Sequence, residues 1–74
     1  MIFHYEVWEY VHISSTYASR KVNNVQTLEE AKACFDKLRE KLAPKDSRLA
    51  GSVLAVGIDE ISTSGTKRIM EDSR

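Results

Sequence analysis

The chain has a single cysteine, Cys34, in 74 residues. No disulfide can form within it, and a lone thiol suits a reducing compartment. Two histidines, His4 and His12, are the only nitrogen donors that could join it on zinc. Together with Cys34 they fall short of a structural zinc site unless carboxylates or a second chain contribute. Net charge is missing too: eleven basic and eleven acidic side chains cancel. That argues against a dedicated nucleic-acid binder, whose affinity rests on neutralised phosphates. The three glycines are scattered, so there is no phosphate-cradling loop. No stretch approaches the roughly 20 apolar residues of a membrane span. The N-terminus lacks the basic start and continuous apolar run of a secretory signal. These absences point to a cytoplasmic protein. No repeat, linker or low-complexity segment interrupts the chain. A single domain of this length buries only about 60% of its unfolded surface, so self-association is a natural supplement to its stability.

What is present begins with alternation. In "IFHYEVWEYVHI", Ile2 to Ile13, one set of alternate residues is Phe3, Tyr5, Val7, Glu9, Val11 and Ile13. The other is Ile2, His4, Glu6, Trp8, Tyr10 and His12. Period two with aromatic and β-branched residues predicts a long strand. Glu9 interrupts the apolar set, so it lies near a sheet end or beside a bulge around Trp8–Glu9. "SSTYAS", residues 14–19, reads as a turn, and "RKVNNV", about 20–25, as a returning edge strand. Thr27 followed by Glu30 has the capping-box spacing. Leu28, Ala31, Phe35, Leu38 and Leu42 then recur at helical intervals, with Cys34 on the flank of the stripe. Pro44 predicts that the helix stops at or just before Ala43. After the loop "PKDSRLAG", residues 52–61 form a strand with Leu54, Val56 and Ile58 on one face and Val53, Ala55 and Gly57 on the other. Apolar residues on both faces place it centrally. A turn at Gly65 leads to a short last strand, about 66–70, and residues 71–74 are expected as a frayed tail. The predicted fold is α+β: a two-layer ββαββ domain over residues 1–70, with a mainly antiparallel four-stranded sheet and one helix packed on one face. A β-grasp arrangement has the same element order.

In such a domain the helix leaves one sheet face open. That face would carry His4, Glu6, Trp8, Tyr10 and His12, an unusual set for a solvent face. One reading is that the rings cover the small residues of the third strand. Another is that they meet a protein partner or a second copy of the chain, as a homodimer, because Trp and Tyr dominate binding surfaces. A third is that a bulge returns Trp8 to the core. Catalysis finds little footing. His4 and His12 lie about 27 Å apart on a straight strand at about 3.4 Å per residue, too far to share a metal. Cys34 sits beyond the helix turn that would activate it. Asp59 and Glu60 alternate, so they cannot act as a pair. The Ser/Thr clusters at 14–16 and 62–66 are turn chemistry. The expectation is a non-enzymatic protein with no cofactor. Single-stranded nucleic acid is the alternative ligand: sheet-face rings stack on bases. Arg20, Lys21, Lys67 and Arg68, with Lys45 and Arg48, would then rim the groove, although Glu6 has the wrong sign.

The stretch "TLEEAKACFDKL" following a hairpin resembles small phage and mobile-element proteins, in which an aromatic first strand, a T-L-E-E-A-K helix start and two further strands make a compact domain. Certain anti-CRISPR inhibitors of bacterial immunity are similar in size and element order. The resemblance implies a protein that acts in a host cytoplasm by occupying a partner's surface. It carries over no functional residues. A toxin–antitoxin-type regulatory accessory protein is a further alternative.

Overall fold

The computed structural model describes residues 1–13, 15–44, 47 and 49–73. The turn residue Ser14, the loop cations Lys45 and Arg48, and the last tail residue Arg74 lie outside the described residues. The elements run β1 (Ile2–Ile13), β2 (Thr16–Val25), α1 (Leu28–Arg39), β3 (Val53–Ser62) and β4 (Gly65–Ser73). They form one sheet of order β2-β1-β3-β4, every neighbouring pair antiparallel. This is the expected α+β ββαββ arrangement. Its antiparallel β1–β3 pair rules out the β-grasp alternative. No helix among the described residues is long and apolar enough to cross a membrane.

The helix starts where the sequence predicts. Thr27 is the N-cap, and its hydroxyl oxygen accepts from the Glu30 amide at 3.2 Å. Glu30 reaches back to accept the Thr27 hydroxyl proton, not the Thr27 amide of a full capping box. The helix ends at Arg39, earlier than Pro44 requires. Leu42 leaves the helical path to form a bridge beside Val53, and the Ala43 amide donates to the Val53 carbonyl at 2.8 Å. Leu42 is therefore buried as expected, but by a strand-like contact.

Under the helix, Ala31, Phe35 and Leu38 pack with Leu42 on Tyr5, Val7, Val25, Val56 and Ile58. Ile58, Val7 and Val56 are wholly sealed from solvent. Irregular pairing shifts several side chains from their expected places. Ile2 faces Ser62 while His4 faces Ile61, so Phe3 is bulged and half exposed at 52%, not in the core. Tyr10 faces Ala55 while Val11 faces Val53. Leu54 is thus passed over, and Val53 packs against the core in its stead. The hairpin is also tighter than predicted. β2 begins at Thr16, inside the expected turn, and β4 continues to Ser73 through residues expected as tail.

Candidate functional site: the open sheet face

Against β3, β1 stays in phase from His4 to Tyr10. The bulge near Trp8 lies on the neighbouring strand: Val7 faces Asn23 and Trp8 faces Lys21, which leaves Val22 over. Trp8 therefore lies opposite Gly57 and points away from the helix, and the reading that returns it to the core does not hold. Glu9 shares the helix-covered side with Val7 and Val11 by its pairing with Val56, and is buried there. Its carboxylate is met by Arg20 from the facing position on β2, whose Nε donates to Oε1 at 2.8 Å and whose second nitrogen closes on the same oxygen. The charge in the apolar row is thus neutralised by its cross-strand neighbour, with no break in the strand.

Trp8 is largely sealed from solvent, at 7% exposure. A Cβ on Gly57 would fall 2.2 Å from Cζ2 of the indole, so the ring lies directly against the β3 backbone. From above, the Arg68 guanidinium stacks 3.9 Å from the ring centre. Asp59 ties the two together: one carboxylate oxygen accepts from Trp8 Nε1 at 3.2 Å and from Arg68 Nε at 3.2 Å. Arg68 also reaches Glu71 at 3.4 Å. The tryptophan is consequently a platform held beneath a salt-bridged lid, not a bare ring.

The exposed aromatic surface lies further along the same face. Tyr10 and Tyr17 stack with centroids 5.6 Å apart and planes 7° off parallel. They remain 36% and 49% exposed. His12 packs on the other side of this group, 4.9 Å from the Tyr17 centroid, with Nδ1 3.3 Å from the Leu49 carbonyl. Between the tyrosines and the Arg68 lid is a depression of about 290 Å³, lined by Trp8, Tyr10, Ser19, Ala55, Arg68 and Glu71. At the opposite end of the face, Glu6 accepts from Lys21 at 2.8 Å and meets His4 at 3.3 Å. The Lys21 bond, followed by the His4 bond, outweighs partial burial and holds the Glu6 carboxyl below its ordinary range.

The structure thus gathers His4, Glu6, Trp8, Tyr10 and His12 on one face and adds Tyr17, which the sequence reading placed in a turn. Among the described residues, Arg20, Lys21, Lys67 and Arg68 do not come together as the proposed basic rim. Arg20 is turned to Glu9 and Lys67 faces Glu60, both on the helix-covered side. Lys21 and Arg68 do border the rings, but each is engaged by carboxylates. The register shifts at Val22 and Ile69 decide these placements. Among the described residues, no three His, Cys, Asp or Glu side chains converge. Compared with known protein families, curated proteins and solved structures, the chain matches none.

Proposed function

We propose that the protein is a non-enzymatic interaction module that docks a partner protein on its open sheet face. The observation that carries this reading is the Tyr10–Tyr17 stack. Two large rings stack on each other and are left half in solvent, beside a depression floored by Trp8. Rigid aromatic area is the commonest source of binding energy in protein interfaces, because few rotamers are frozen on contact. The partner class that fits offers an apolar side chain to the depression and polar groups to the Arg68–Glu71 rim. Phosphate backbones fit less well, since Glu6, Asp59 and Glu71 already take up Lys21 and Arg68, the cations that border the rings among the described residues. Small inhibitors of bacterial defence, which the helix start resembles, act by covering a surface in this way.

The test compares wild type with Tyr10→Ala/Tyr17→Ala in parallel capture from host lysate, alongside titration with a single-stranded oligonucleotide at low and high salt. Recovery of a specific protein by wild type alone is the expected result. Equal recovery by both chains places the contact elsewhere and overturns the reading. Oligonucleotide binding that fades with salt and is lost in the variant replaces it with nucleic-acid recognition.

A further inference from the structure

The outer edge of β4 carries a second message. β4 is the last strand of the sheet, and among the described residues β3 is the only strand that pairs with it. An exposed edge invites pairing with another chain, and charges usually prevent it. Here the charges are ordered: Thr66-Lys67-Arg68-Ile69-Met70-Glu71-Asp72-Ser73 runs from basic to acidic about a centre between Ile69 and Met70. We propose that two copies of the chain join antiparallel through β4, about a twofold axis at that centre. Lys67 then faces the partner's Asp72, Arg68 faces the partner's Glu71, Ile69 faces the partner's Met70, and Thr66 faces the partner's Ser73.

The faces agree as well as the charges. Arg68 and Glu71 lie on the open side, as their contact with Trp8 and pairing with Gly57 show. Lys67 pairs with Glu60, and Asp72 takes an Arg39 bond from the helix at 2.7 Å, so both belong to the helix side. A continuous antiparallel sheet keeps each face on its own side, and every proposed pair joins residues of one side. Any parallel pairing in register sets like charge on like. β2, the other edge, offers only Arg20 and Lys21 and no acid, so antiparallel self-pairing there gains no opposite charge. The β4 edge thus selects one partner, one direction and one register. The dimer is a single sheet with both tyrosine stacks displayed on one surface. Self-association is thereby moved from the ring-bearing face to the strand edge, and it does not depend on what that face binds.

Lys67→Asp and Asp72→Lys test this as a pair, using sedimentation equilibrium and light scattering over a range of concentration. Wild type forms a closed dimer. Each single variant sets like charges opposed twice across the axis and weakens the dimer about tenfold or more. A mixture of the two variants restores both attractions and recovers the dimer as a heterodimer, which no purely structural role of either residue explains. A wild type that stays monomeric overturns the proposal, as do single variants that dimerise undiminished or a mixture that does not recover. Mass growing without limit also overturns it, because it means β4 of one copy meets β2 of the next. Should either variant unfold, amide exchange of wild type decides: β4 protection rises with concentration if the pairing is correct and is constant if it is not.

Discussion

At the scale of single residues, the open face depends on one missing side chain. Gly57 has no unusual backbone angle to explain it, but the Trp8 ring and the Met70 carbonyl leave its α-carbon no room for a substituent. A methyl there meets indole carbons at 2.2 and 2.4 Å and the carbonyl oxygen at 2.8 Å. Backbone cannot retreat, so the indole must lift out of its hydrogen bond to Asp59 and from beneath Arg68. Gly57→Ala is expected to lower stability by about 1–3 kcal/mol, the usual penalty for overpacking. It should also make Trp8 fluorescence accessible to a soluble quencher. Urea melts and acrylamide quenching check both; an alanine variant as stable as wild type with its tryptophan still shielded contradicts the stacked arrangement. Glu9 teaches a related lesson. A carboxylate in an apolar row reads as a break in the strand, yet one arginine at the facing position suffices to keep it buried in phase.

At the scale of elements, what the sequence reveals depends on whether the signal is local. The helix is legible because a cap, a stripe and an acidic first turn lie within a few residues of one another. β1 is legible because one of its faces is uniformly buried from Tyr5 to Val11. β2 is legible only over its second half, as a returning edge strand, since nearly all its side chains are exposed and no alternation is required of it. Bulges at Phe3, Val22, Leu54 and Ile69 leave no glycine behind to announce them; each is a property of two paired strands. They reassign Arg20, Lys67 and Val53 to the helix side and so account for most of the misplaced residues. The β1–β2 pair is also where pH acts. Lys21 on β2, and secondarily His4, hold the Glu6 carboxyl below its value in the unfolded chain. A lowered folded-state value means that stability is fully present above the unfolded value and is lost as pH falls through the folded one. Urea midpoints measured from about pH 7 to pH 3 should fall at the acid end with a component that Glu6→Gln abolishes. An unchanged acid slope in that variant removes Glu6 from the account.

At the scale of the whole molecule, the two sides of one sheet divide the work. A 12-residue helix is about 18 Å long, against about 40 Å for a 12-residue strand. The described residues extend 39 Å by 21 Å by 15 Å, so the helix shields only part of one side. Stability is concentrated where it does: Val7, Val56 and Ile58 are fully enclosed against Phe35 and Leu38. For so small a domain the total margin is on the order of 5 kcal/mol. Ile58→Ala removes buried methylenes beneath the helix and should cost about 2–5 kcal/mol, enough to unfold much of the population. Tyr17→Ala, on the other side, removes a half-exposed ring with no helix contact and should cost about 0.5–1.5 kcal/mol, the worth of an aromatic pair. Thermal melts of the two variants measure the contrast directly. A Tyr17 variant that melts as low as the Ile58 variant would make the tyrosine stack part of the structural core. One that stays folded leaves those rings dispensable for folding and free to be spent on binding.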